Sequence, residues 1–81
     1  MKVLIEFFGA QRVIAKTDRM DMPITEDTTV HDVLEYVRGQ YPGLHLDEGM
    51  VIVTVNRQIT FLDMILHPGD TVSFLPFISG G

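Results

Sequence analysis

Gly80 and Gly81 close the chain, and between them they present a terminal α-carboxylate with no side chain beside it. That carboxylate is ionised at neutral pH, with a reference pKa near ~3.5, and an ionised carboxylate is a poor electrophile. It accepts a nucleophile only after conversion to a mixed anhydride, for which ATP is the usual reagent. A sulfur or amine nucleophile can then attack the acyl carbon. Glycine lacks a Cβ, so a Gly-Gly end is thin and able to enter a narrow channel. The stretch Phe77, Ile78, Ser79, Gly80, Gly81 extends roughly 17 Å at full reach. No GxxxxGK[ST] phosphate-binding loop occurs in the sequence, so activation is expected from a partner. The chain reads as the substrate of that step, with no activity expected of it alone.

The other reactive residue types form no comparable constellation. There are no cysteines, which excludes a disulfide framework, a thiolate metal site and a cysteine nucleophile. His31, His45 and His67 have no ligand spacing between them, so no metal site is expected; "HLDE", with His45, Asp47 and Glu48, reads as a solvated loop. The formal net charge is −5, from 11 acidic and 6 basic residues. Without a Lys/Arg cluster this balance argues against nucleic acid and anionic membranes as partners. The apolar stretches are too short to span a bilayer. The opening "MKVLIEFFGA" carries Glu6 inside its apolar run and lacks a small-residue cleavage site, so it reads as a strand rather than a signal peptide. A cytoplasmic location is expected.

What must position the end is a small domain. Eighty-one residues, 46% of them hydrophobic, suit a single domain over 1–81 with more apolar material than its core needs, part of it available as a docking face. "KVLIEFF" (Lys2–Phe8) reads as a strand with Val3, Ile5 and Phe7 on one face and Leu4, Glu6 and Phe8 on the other. Ala10 to Asp21 reads as a loop, and Met20–Glu26 as a short strand that Pro23 places at an edge. "TTVHDVLEYVRGQYPG" is the clear helix: Thr29 and Asp32 approach a capping box. Val30, Val33, Leu34, Val37 and Tyr41 form one stripe, and Gly39 and then Pro42-Gly43 stop it. "MVIVTVN" (Met50–Asn56) is a strand, "RQITFL" holds a short one, and "HPGD" is a type II turn around Pro68 and Gly69. "TVSFLPF" is the last strand, with Val72 and Phe74 inward and Ser73 and Leu75 outward. Gly9, Gly43 and Gly49 read as turn residues, and the five methionines as core fillers.

That order predicts an α+β fold, a β-grasp (ubiquitin-like) domain in which one main helix covers one face of a mixed four- to five-stranded sheet. If the first and last strands are neighbours, Leu4, Phe8 and Leu75 cluster on the open face, beside a flexible Gly-Gly tail over 76–81.

With these residues in place, the whole chain resembles the MoaD/ThiS sulfur-carrier family, most closely its molybdopterin-synthase small-subunit branch. The resemblance is carried by "VLIEFF", "TTVHDVL", "VTVN" and "HPGDTVSFLPFISGG". It implies that Gly81 is adenylated by a ubiquitin-activating-like adenylyltransferase and converted to a thiocarboxylate. It implies further that the tail enters the large subunit of molybdopterin synthase, where the sulfur passes to precursor Z. Phe8, Ile59 and Leu75 fall where the family places its apolar docking patch. No bound cofactor is implied, and ATP is used by the activating partner. Leu75-Pro76-Phe77 departs from the aromatic and two prolines common before the family's tail, so Phe77 adds a bulky anchor there.

Other readings stay open. A related carrier serves tRNA thiolation or thiamin synthesis, or is joined to protein lysines as a ubiquitin-like modifier, since one activated end serves either nucleophile. The thiamin carriers are typically shorter. A β-grasp interaction module whose tail does no chemistry is the bland alternative, and Phe8, Ile59 and Leu75 would then be ordinary surface hydrophobes.

Overall fold

The computed structural model describes residues 1–44, 46 and 51–76. The expectations for His45, Asp47, Glu48, Gly49 and Met50, and those for Phe77, Ile78, Ser79, Gly80 and Gly81, lie outside the described residues. The elements are β1 (Lys2–Glu6), α1 (Ala10–Ala15), β2 (Arg19–Pro23), α2 (Val30–Gln40), a 3₁₀ turn (Pro42–Leu44), β3 (Val51–Val55), β4 (Gln58–Ile59) and β5 (Thr71–Pro76).

The five strands form one sheet in the order β2-β1-β5-β3-β4. The central pair, β1 and β5, is parallel and the other pairs are antiparallel. Helix α2 packs on one face. Its Val30, Val33, Leu34 and Val37 are fully buried, as are Ile5, Val72 and Phe74 from the central strands. Each such side chain contributes about 1.5–3 kcal/mol by leaving water. Tyr41 closes the stripe edge-on to Phe7, the ring centroids 5.7 Å apart at 82°.

The ends of α2 follow from local chemistry. Asp32 N donates to Thr29 Oγ1 over 3.3 Å and Thr29 N to Asp32 Oδ2 over 2.9 Å, a reciprocal capping box that satisfies two otherwise orphaned donors. Gly39 does not stop the helix, as the sequence suggested, but lies inside it. The stop is Pro42, whose ring disfavours a helical residue before it. Tyr41 accordingly adopts φ −134°.

The segment expected to be a loop, Ala10–Asp21, instead contains α1 and the start of β2. Helix α1 has a single buried residue, Ala15, while Val13 is 77% exposed. So short a helix, capped by Gly9 without a side-chain bond, leaves no apolar period to read. Strand β2 ends at Pro23 on the sheet edge, where a missing N–H costs nothing.

Two turns set the β5 end of the sheet. Asn56 (φ 53°) and Arg57 (φ 70°) join β3 to β4, the double positive-φ pattern of a type I′ hairpin. In His67–Asp70, Gly69 has φ 85° and Asp70 N donates to His67 O over 3.1 Å, as a type II turn requires. Gly69 N also donates to Lys2 O over 3.0 Å, so the turn is stitched to β1.

Candidate functional site

Side chains alternate across a sheet, so the face opposite α2 is fixed by register. Arg19, Glu6, Ser73, Thr54 and Ile59 lie in one row across all five strands. The next row toward the end of β5 pairs Leu75 with Ile52, and Phe8 follows β1 on its flank. The inward and outward assignments expected for both strands hold: Val3, Ile5, Phe7, Val72 and Phe74 are core, whereas Phe8 and Leu75 are exposed. Residues 77–81 follow directly on β5 from this row.

Phe8 and Leu75 come together, lining a groove of about 270 Å³ with Thr54, Arg57 and Ser73. Leu4 does not join them. It pairs with Thr71, four residues back along β5 from Leu75, or about 13 Å at strand rise. Ile59 is 76% exposed on the same face but lines a separate groove of about 430 Å³ whose walls include Leu34 of α2 and the helix-facing Val53 together with Ile52, Phe61 and Leu62. Phe61, 81% exposed, went unremarked in the sequence because it lies beyond the two-residue β4, where no strand alternation assigns it a face. Ile52 and Arg57 were missed likewise. The alternation in "VIVTVN" was the signal that places Ile52 outward with Thr54.

Arg57 links the apolar groove to a polar one. It also lines a hollow of about 290 Å³ with Glu6, Asn56, Thr71 and Ser73. The open face therefore offers apolar contact from Phe8 and Leu75 and a guanidinium beside it, one residue before the segment that carries the terminal carboxylate. An exposed apolar groove beside a guanidinium has the chemistry of a contact surface, and among the described residues it holds no arrangement of nucleophile and base. No helix among them is long and apolar enough to cross a membrane.

A helix-backed mixed sheet with parallel central strands and one open face defines a ubiquitin-like β-grasp protein. The chain belongs to the ThiS family, a family of ubiquitin-like sulfur carriers, which residues 5–81 match. It is 32% identical to the molybdopterin synthase sulfur carrier subunit of Mycobacterium tuberculosis, over 100% of this chain and 99% of that one. It is 30% identical to small archaeal modifier protein 3 of Haloferax volcanii, over 100% of each. Among solved structures, SAMP1 of Haloferax volcanii superposes with a TM-score of 0.81 at 22% identity, covering 100% of both chains. A chain in the complex of subunits 1 and 2 of the molybdopterin-converting factor from Helicobacter pylori superposes with a TM-score of 0.68 at 23% identity, again covering 100% of both. That carrier-like neighbour is thus bound to a partner subunit.

Proposed function

We propose that this chain is the sulfur carrier of a molybdopterin synthase, acting in the cytoplasm through its C-terminal glycine. The observation that carries the reading is the 32% identity, end to end, with a carrier subunit of that enzyme. The family match runs through Gly80 and Gly81. The chemistry follows from the carboxylate. A Gly81 oxygen attacks the α-phosphorus of ATP on an adenylyltransferase, releasing pyrophosphate and leaving an acyl-adenylate. A hydrosulfide equivalent then attacks the acyl carbon, AMP departs with the C–O bond electrons, and a thiocarboxylate remains. In the large subunit that sulfur is passed to the pterin precursor, with Phe77, Ile78 and Ser79 spanning the approach; Phe8, Leu75 and Ile59 form the docking surface met by the activating enzyme and the large subunit in turn. The chain contributes the carried group and the docking surface, while ATP and the catalytic side chains belong to its partners.

A second reading has its own support: the 30% identity with an archaeal modifier protein. There a lysine amine rather than sulfide attacks the same acyl-adenylate. Intact mass of the protein drawn from its native cells, with whatever co-purifies, separates the two. A mass increase matching one oxygen replaced by sulfur, mapped to the C-terminal peptide and accompanied by a large subunit, is the expected result. Branched lysine adducts with a bare carboxylate would favour the modifier. Neither product, with activating enzyme and ATP supplied, would leave only a binding module.

A further inference from the structure

Hydrogen bonds between parallel strands recur at every second residue. Leu4 N donates to Asp70 O over 2.9 Å, and the register runs from Leu4 opposite Thr71 to Glu6 opposite Ser73. One step further, the same ladder would join Phe8 N to Phe74 O. That rung is absent, and the carboxamide of Gln11 stands in its place. Gln11 Oε1 accepts from Phe8 N over 3.3 Å, and Gln11 Nε2 donates to Phe74 O over 2.9 Å.

A primary amide carries the same donor and acceptor as a peptide group. Gln11 therefore replaces one rung with two and holds the end of β1 farther from β5 than direct pairing allows. The groove between Phe8 and Leu75 opens at this point. The backbone prepares the arrangement: Gly9 takes φ 56° to enter α1, and Gln11 N donates to Phe8 O over 3.1 Å. That φ is one an L side chain adopts only with strain.

We propose that Gln11 is a positioning residue: its carboxamide sets the spacing of Phe8 and Leu75, and thereby the fit of the docking groove to the activating partner. The spacing is a property of this chain alone; the consequence for docking rests on the carrier reading above. Gln11 touches neither the terminal carboxylate nor ATP. Its loss should therefore alter recognition and spare the chemical step.

The test takes the full chain and its Gln11→Ala and Gln11→Glu variants. In Gln11→Ala the direct rung can form, so the nuclear Overhauser effect between the Phe8 ring and the Leu75 methyls should strengthen as the groove narrows. With the adenylyltransferase of the same organism and ATP, pyrophosphate release should show KM for this variant raised roughly tenfold at unchanged kcat. Gln11→Glu keeps the acceptor for Phe8 N but offers Phe74 O no donor while ionised. Below the usual carboxyl pKa of ~4.3 the neutral acid regains the donor, so the Phe74 carbonyl carbon-13 shift should return toward the unaltered chain's value. The pH rescue reports the bond to Phe74 O itself, while a raised KM at unchanged kcat is what a merely structural side chain would not give; Gln11→Glu keeps the question decidable if Gln11→Ala does not fold. An unchanged Phe8–Leu75 effect, an unchanged KM with pyrophosphate still released, or a fall in kcat alone overturns the proposal. If the unaltered chain is never adenylated, the carrier reading fails instead, and the Phe8–Leu75 effect and the pH rescue still decide the role of Gln11.

Discussion

Asn56 and Asp70, at the ends of β3 and β5, are joined side chain to side chain: Asn56 Nδ2 donates to Asp70 Oδ1 over 3.0 Å. Asp70 Oδ2 accepts from His67 N over 2.8 Å, and Asn56 Oδ1 accepts from Thr71 N over 3.0 Å. One carboxylate and one carboxamide thus tie the type I′ turn to the type II turn. Hydrogen bonds to a charged acceptor are worth about 1.5–3 kcal/mol each. Asn56→Ala and Asp70→Ala should each lower stability by about that much in urea titration. The double variant should fall short of the summed losses by roughly 0.5–3 kcal/mol, because the shared bond can be lost only once. Strict additivity would mean that the two turns are held independently.

Arg57 should separate stability from recognition. At φ 70° an L residue in the left-handed region pays roughly 1–2 kcal/mol. Glycine escapes that cost but loses about 0.5–1 kcal/mol to the greater freedom of its unfolded chain. The first effect is larger. Arg57→Gly should therefore raise stability by about 0.5–1 kcal/mol. The same change removes the guanidinium from both grooves on the open face, so affinity for a partner subunit should fall, which isothermal titration can read. A gain in both quantities would show that the hairpin is unstrained or that partners dock elsewhere.

Adjacent residues on β5 should respond in opposite ways. Phe74 is fully buried and Leu75 is 38% exposed. Phe74→Ala should cost about 3–5 kcal/mol, close to the whole stability of a marginal domain at ~5 kcal/mol. Leu75→Arg should leave the unfolding midpoint within about 0.5 kcal/mol of its starting value. Partner binding should nevertheless weaken by several kcal/mol, because a charge without a partner would be buried at the interface. The reverse pattern, with Leu75→Arg unfolding the domain, would mean that the register of β5 is displaced by one residue.

These contrasts show what the amino-acid pattern made legible. The core stripe of α2, the Thr29–Asp32 box, the inward Val72 and Phe74 and the His67–Asp70 turn are each written within a few neighbouring residues, so periodicity and turn chemistry exposed them. Helix α1 was illegible because its apolar residues Val13 and Ile14 face outward and Gly9 gives it no capping side chain. Gln11 was invisible for another reason: its partner Phe74 lies 63 residues away, and no local pattern encodes a contact at that separation. The site divided in the same way. Phe8 and Leu75 could be paired by strand alternation, whereas the separation of Ile59 into a second groove depends on how the short β4 lies against β3.

The terminal carboxylate should be sensitive to chain length and indifferent to fold. Among the described residues the buried core runs from Val3 to Phe74, and Gly81 has no side chain to bury, so its loss or one residue appended after it should leave the unfolding midpoint unchanged. Deletion still leaves a glycine carboxylate at position 80, but moves it back by roughly 3.4 Å. Reacting atoms must meet within about 3–3.5 Å, and a misplacement of ~1 Å alone can cost about 10²-fold. Appending a residue with a side chain displaces the carboxylate in the other direction and adds bulk where glycine leaves none. Both variants should therefore release no pyrophosphate with the activating enzyme, while binding the partner subunit at the affinity of the unaltered chain. Full pyrophosphate release in either would sink the carrier reading, whereas a docking module with a chemically silent tail would bind its partner and release no pyrophosphate even from the unaltered chain.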